Sequence, residues 1–166
     1  MTIGRFYGGI FALIWSPEKE KYLLLKRSSA KDYASGVWAC VTGRVDQGEG
    51  YAQALRREVF EELGVSVQFE FMLGTLHFYR GSEAPENELL GVACCCSLAY
   101  PERIQISAEH SEYRWVDLKD LASMQQEDAP SIQWISGLIQ RAEAIRQRMP
   151  HELSQLFREA GLDLAG

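Results

Sequence analysis

Two apolar runs separated by a short polar break open the chain. Phe6 to Trp15 is rich in Ile, Phe and Trp and stops at Ser16-Pro17; Tyr22 to Arg27 repeats the pattern after the polar Pro17-Glu18-Lys19-Glu20-Lys21. Short apolar runs bounded by turn formers predict buried strands, and the spacing joins these two as a hairpin. Val37 to Thr42 reads as another strand, running into a loop with Gly43, Gly48 and Gly50. From Tyr51 to Leu63 the period lengthens to that of a helix. Ala52, Leu55, Val59 and Leu63 fall on one face, and Gly64 stands where a helix stop is expected.

Val65 to Phe71, Leu76 to Tyr79, Leu89 to Ala99 and Tyr113 to Val116 predict further strands, punctuated by Gly74, Gly81, Pro85 and Pro101, with Gly91 weakening the third. Ser131 to Arg148 places Ile132, Ile135, Leu138, Ile139, Ala142 and Ile145 on one helical stripe. Asp128 and Ser131 are its candidate N-cap residues near Pro130, and Pro150 ends it. His151 to Ala160 is a last amphipathic helix, which packs on the domain or mediates association as in a homodimer. Residues 1–150 are thus expected to form one domain and 151–166 a helical extension, in an α/β sandwich around a mixed sheet.

Composition narrows the function classes. The 166 residues are 46% hydrophobic and 24% charged, which is ordinary globular usage. A net charge of −6 gives the whole molecule no attraction to nucleic acid or anionic lipid, so any phosphate it handles needs local cations. Gly8 to Trp15 and Leu89 to Ala99 are too short to span a bilayer, and the N-terminus lacks a signal-peptide pattern. A cytoplasmic protein is expected, with neither a membrane nor a nucleic-acid partner. Cys40, Cys94, Cys95 and Cys96 lack metal-ligand spacing and read as small buried apolar residues, Cys94 and Cys96 on one side of a strand and Cys95 on the other.

The chemistry concentrates between Gly43 and Val65. On a helix Glu58, Glu61 and Glu62 stand at i, i+3 and i+4, so three carboxylates share roughly one turn and repel unless something positive joins them. Arg57 lies four residues before Glu61 and offsets part of that repulsion, without explaining why the acids are gathered. Hard divalent cations favour carboxylate oxygens, and magnesium commonly takes a few of them while water and substrate phosphates supply the rest. Taken alone, the acidic triplet reads equally as a solvated helix face.

The whole string is more specific. Gly43, five residues, Glu49, seven residues, Arg57-Glu58, an aliphatic, any residue, Glu61-Glu62, any residue, Gly64 and an aliphatic resembles the Nudix box at every defined position. Ordinary residue frequencies make a chance match on the order of 10⁻⁷. The resemblance implies the Nudix loop-helix-loop within an α/β/α sandwich. It also implies hydrolysis of a phosphoanhydride by water attack at phosphorus, with Mg²⁺, or Mn²⁺ as substitute. Carried over by position, Glu58 and Glu62 are metal ligands, Gly43 gives a backbone carbonyl to the metal, and Glu61 completes the shell or acts as general base. Arg57 orients carboxylates including Glu49, which reads equally as a helix N-terminal charge.

Outside the box, Trp38-Ala-Cys-Val-Thr42-Gly43 and Glu109-His110-Ser-Glu-Tyr113-Arg-Trp115 resemble segments of the bacterial dihydroneopterin triphosphate diphosphatases and related nucleoside triphosphate pyrophosphatases. That resemblance makes Glu109 a distal metal ligand, Thr42 a substrate contact, and Arg27 and Arg5 cations for the triphosphate. The chain departs from the pterin enzymes by an insert around Lys31 to Gly36 and by the stretch beyond Pro150. Tyr7, Trp38, Phe78 and Tyr79 are candidates to stack on a base or pterin ring, or are core, and His110 reads as structural. The expected partner is a small phosphoanhydride: a nucleoside triphosphate, dihydroneopterin triphosphate or, alternatively, a nucleotide sugar. A Nudix-fold module that binds nucleotide without cleaving it would be expected to lose box acids. An isopentenyl-diphosphate-isomerase-like chemistry would need a catalytic cysteine, for which Cys40 alone is near the box.

Overall fold

The first apolar run forms the strand against which the rest is laid. The computed structural model describes residues 4–29, 35–126 and 129–163. β1 (Tyr7–Ser16) and β2 (Lys21–Arg27) pair as the expected antiparallel hairpin, with Ile14 opposite Leu23. Toward its start β1 leaves β2 and pairs instead with β4 (Val41–Arg44), Ile10 facing Gly43 and Phe11 facing Thr42. The short β3 (Trp38–Ala39) pairs with β2. The single strand expected over Val37 to Thr42 is therefore two, broken at Cys40 where the chain crosses from one neighbour to the other. That crossing brings Gly43 to the sheet's opening.

On its other side β1 runs parallel to β6 (Glu88–Ser97), which pairs antiparallel with β5 (Gln68–Tyr79); β7 (His110–Val116) pairs with β2. The result is a mixed seven-stranded sheet. Two expectations change here. The two strands expected at Val65 to Phe71 and Leu76 to Tyr79 are one continuous strand that begins only at Gln68, because Gly74 sits at a register irregularity in the β5–β6 ladder and does not end it. Gly91 does not interrupt β6 either; it lies opposite Gly9, and a Cβ there would stand 2.9 Å from the Gly9 carbonyl oxygen. Glycine is needed where two backbones approach this closely.

Helices cover both faces, and the pleat decides which residues meet them. α1 (Tyr51–Leu63) packs Leu55, Val59 and Leu63 against Ala12, Ile14, Val41, Cys94 and Cys96. Ala54 is fully buried, whereas the expected Ala52 is only partly so. Gly64 caps the helix in the left-handed conformation, φ 66°, its N–H donating to the Phe60 carbonyl. On the opposite face Cys95, Leu13 and Phe71 meet Ile132, Ile135, Ile139 and Ala142 of α3 (Ala129–Arg148). α3 starts before Ser131, which lies in its first turn and is no cap; Asp128 is outside the described residues, as is Lys31 at the start of the insert.

The helix α2 (Leu118–Met124) is not foreseen by the hydrophobic pattern. Its signal is local: Asp117 accepts from the Lys119 and Asp120 amides, and the Asp120 carboxylate accepts from the Asp117 amide. α4 (His151–Ala160) packs beside β5, where Arg158 donates to the buried Glu70 at 2.8 Å and the Gln68 side chain donates to the Arg158 carbonyl. Among the described residues no helix is long and apolar enough to cross a membrane.

Gly91→Ala drives a methyl into a backbone carbonyl that cannot step aside without breaking the β1–β6 pairing. It is expected to lower unfolding stability by about 1–3 kcal/mol. A urea midpoint equal to wild type would contradict the close approach.

Candidate active site

Where β1 and β2 diverge, β4, α1, the end of β2 and the residues around the end of β5 enclose a cleft of about 420 Å³. Its walls include Arg27, Thr42, Gly43, Glu58, Glu61, Glu62 and Glu109, residues that lie up to 82 positions apart in the chain (109 − 27). One side of a single helical turn supplies the central acids, and packing gives each a different environment. Glu62 is 5% exposed, Glu58 is half-buried, and Glu61 points to solvent. The periodicity that buries Val59 and Leu63 also carries Glu62 inward.

Burial pushes the Glu62 carboxyl above its ordinary range, opposed by His110 and Arg27 and reinforced by Glu109. His110 Nε2 lies 3.0 Å from Glu62 Oε2, but the two are not aligned as a hydrogen bond, and both atoms are otherwise without a protein partner. Glu58 is likewise raised by desolvation, against the lowering effect of Arg57. Gly43 makes room for it: a Cβ at that position would fall 1.9 Å from the Glu58 carboxyl carbon.

Arg57 joins loop to helix. Its Nε and Nη2 donate to the two oxygens of Glu49 at 2.8 and 2.9 Å, Nη1 to Glu58 at 2.8 Å and Glu61 at 3.2 Å, and Nη2 also to the Arg44 carbonyl at 2.9 Å. The forked guanidinium suits this task because its donors are fixed in one plane. Its hydrogen bonds, with one from the Asp46 amide, hold the Glu49 carboxyl down at about 2. Glu49 therefore remains ionised throughout the working range and serves the clamp, not the cleft wall.

Arg5 is not brought to this cleft; it is exposed ahead of β1. Arg27 and Glu109 lie at its rim, the Ser28 amide donating to the Glu109 carbonyl at 2.8 Å. Arg44 and Arg80 also line it, and neither is singled out by the sequence, since cations from a loop and a strand end carry no motif. His110, read as structural, is placed by β7 against Glu62. Of the candidate stacking aromatics, Phe78 lines the cleft, Trp38 is 1% exposed in the core, and Tyr7 is exposed with the Arg44 guanidinium 5.7 Å from its ring centroid.

An adjoining apolar pocket of about 440 Å³ shares Phe11, Val37, Ala39, Thr42 and Phe78 with the cleft and extends to Leu76, His77, Trp134 and an edge of the otherwise buried Trp38. Phe11 meets Phe78 and Trp134 edge-on, with centroids 5.6 and 5.7 Å apart. Phe11 and Trp134 come from β1 and α3, too far apart in the chain for a local motif to link them.

The donor set suits a hard cation. Among the described residues no three acidic, histidine or cysteine side chains close into a finished ligand set. Yet Glu58 and Glu62 are two partly desolvated carboxylates, one with an orphaned oxygen, beside a loop with no Cβ at Gly43. Magnesium-type ions are commonly held by one or two carboxylates, with phosphate and water completing the shell.

The NUDIX domain model matches residues 7–135. The chain is 27% identical over 129 residues to dihydroneopterin triphosphate diphosphatase of Escherichia coli K12, covering 69% of this chain and 81% of that protein. It is 30% identical over 108 residues to nucleoside triphosphatase NudI of Escherichia coli, covering 60% and 75% respectively. The solved structure of a MutT protein from Methanosarcina mazei Go1 shares the fold, with a TM-score of 0.69 at 24% identity over 89% of this chain and all of that one. The matched span runs from β1 into α3 and takes in both the acidic helix and the arginine-clamped loop before it, so the chain belongs to the Nudix family.

Proposed function

We propose that the cleft hydrolyses a phosphoanhydride of a nucleoside triphosphate or of dihydroneopterin triphosphate. The observation that carries this reading is the pairing of two desolvated carboxylates, Glu58 and Glu62, with a cleft rimmed by Arg27, Arg44 and Arg80 and continued by an aromatic pocket. The matched relatives support the substrate class, since their names specify dihydroneopterin triphosphate and nucleoside triphosphates.

In this reading the polyphosphate lies between the arginines and α1, and the flat ring enters the pocket of Phe11, Phe78 and Trp134, where offset or edge contacts suit a π system. Water attacks one phosphorus; a new P–O bond forms, the bridging P–O bond breaks, and the leaving phosphate carries away the bond's electron pair. Glu61, exposed at the cleft and restrained by Arg57, takes the water's proton as general base or completes the metal shell. Glu58, Glu62 and the Gly43 carbonyl would hold a divalent cation, with Glu109 at the far rim. Such an ion, magnesium or manganese, supplies positive charge against the phosphates and acidifies the attacking water.

The arrangement disfavours the alternatives. A binding module has no need of the desolvated acid pair. Cys40 is poorly suited to isomerase chemistry: it is 1% exposed, and burial pushes its thiol up to about 12. A nucleotide sugar fits the cleft's phosphate end equally, and the product masses decide it.

Incubation with a panel of phosphoanhydrides and Mg²⁺, read by mass-resolved products, is expected to show cleavage of a triphosphate-bearing ring compound. No turnover of any member would overturn the reading. Glu62→Gln is expected to lower turnover about 100-fold or more, while stabilising the metal-free protein. The raised carboxyl of Glu62 is protonated in folded and unfolded chains alike in acid, and its ionisation costs stability as pH rises through the folded value. The variant should therefore melt about 2–4 °C higher at pH 8, with the gap closing toward pH 4. Equal melting at both would show that burial of this carboxyl carries no cost. Trp134→Ala is expected to raise KM about fivefold or more with kcat little changed, and an unchanged KM would remove Trp134 from ring recognition.

A further inference from the structure

The helix that carries the acids begins without a cap of its own. Its N-cap position is Gly50, in the extended conformation usual there (φ −87°, ψ 169°), with no side chain to accept from the first turn and no acidic residue within that turn. Four amides at a helix start lack intrahelical partners, and the positive end of the helix dipole lies among them.

The missing acceptor comes from the other end of the chain. After α4, Gly161 at φ 75° turns the backbone, and Leu162 packs against the cluster that includes Leu55, Val59 and Leu63 of α1. Asp163 then reaches the start of α1, where both its oxygens accept from the Ala52 amide at 3.1 Å. Its carboxylate lies directly against Gly50: a Cβ there would stand 2.3 Å from Asp163 Oδ2, so the carboxylate would have to move. Arg158, bonded to the buried Glu70, anchors α4 beside β5 and so fixes where this tail starts.

We propose that the C-terminal tail is a positioning element for the catalytic helix, Asp163 serving from a distant part of the same chain as the N-cap that Gly50 does not provide. The proposal rests on the reading of α1 as the helix that presents Glu58, Glu61 and Glu62 to the phosphates. Asp163 touches no reacting atom; it acts by fixing the first turn of α1 and the end of the loop that Arg57 ties to the same helix. The stretch beyond Pro150 is thereby coupled to the site it does not enter.

Hydrogen exchange and steady-state kinetics on the full chain test this together. Asp163→Ala is expected to speed exchange of the Ala52 amide about fivefold, and to lower kcat severalfold with KM little changed. Gly50→Ala, which forces the Asp163 carboxylate to shift without altering the tail, is expected to move both readouts in the same direction by no more than Asp163→Ala does, and the double variant to be no worse than Asp163→Ala alone. Gly50→Ser in the Asp163→Ala background restores a local cap, and both exchange protection and kcat should return toward wild type. Unchanged exchange at Ala52 in Asp163→Ala overturns the cap whatever the kinetics show. Faster exchange with wild-type kcat overturns the positioning role. If wild type cleaves no phosphoanhydride, the catalytic reading falls, and with it the positioning role, while exchange still decides whether Asp163 caps α1.

Discussion

Placing ionisable groups at the edge of an apolar core is the constraint around which the rest of this molecule is arranged. α1 must bury Leu55, Val59 and Leu63 against the sheet, and the same helical geometry takes Glu62 almost wholly out of water. An isolated charge moved so far costs several kcal/mol after relaxation. Here burial pushes the carboxyl above its ordinary range, and the cost is offset in part by His110 and Arg27 nearby, not by a complete hydrogen-bond shell. A fold selected for stability alone would place an aliphatic residue at this position, and on the proposed reading the cost of the acid there is met by its role at the site.

Arg57 converts that arrangement into a fixed geometry. One guanidinium reaches Glu49 in the loop, Glu58 and Glu61 on the helix, and the Arg44 carbonyl at the end of β4. Because Glu49 stays ionised down to about pH 2, the loop half of the clamp does not loosen at any ordinary pH. Lysine would carry the charge but not the planar fork, so it could not hold loop, strand end and helix at once. The glycine at position 43 completes the design by letting the Glu58 carboxyl lie against the backbone.

The sequence was most legible where one local period or one contiguous motif carried the information. α1, the β1–β2 hairpin, α4 and the alternation of Cys94, Cys95 and Cys96 between the two faces all follow from spacing alone. The break at Cys40 was not legible, because it arises from β1 and β2 parting in space, and an apolar segment looks the same whether it pairs with one neighbour or two. α2 was missed because seven residues offer too few turns for a stripe, although the Asp117 and Asp120 reciprocal cap was present to be read. In the site, the contiguous box identified the acids and their clamp. Arg44, Arg80, Phe11 and Trp134 converge only through the sheet, and Arg5, a cation of suitable type, does not line the cleft because its position ahead of β1 carries no pairing that would bring it there.

This division has a physical cause that bears on specificity. On the proposed reading, the groups that act at phosphorus must keep sub-ångström relations, and a single loop and helix joined by one arginine can maintain them. Ring recognition needs only a flat apolar wall, which β1, β5 and α3 can each contribute separately. Substitution at Trp134 or Phe78 can therefore change which ring is accepted without moving Glu58 or Arg57. The charge balance points the same way: Glu58, Glu61, Glu62 and Glu109 outnumber Arg27, Arg44 and Arg80 at the cleft, on a molecule whose net charge is already −6. A bare polyphosphate gains little attraction from such a surface. On the proposed reading, affinity must then come from ring burial and from a cation shared between acids and phosphates, so a pocket that prefers one ring decides which triphosphate is cut by chemistry common to all of them.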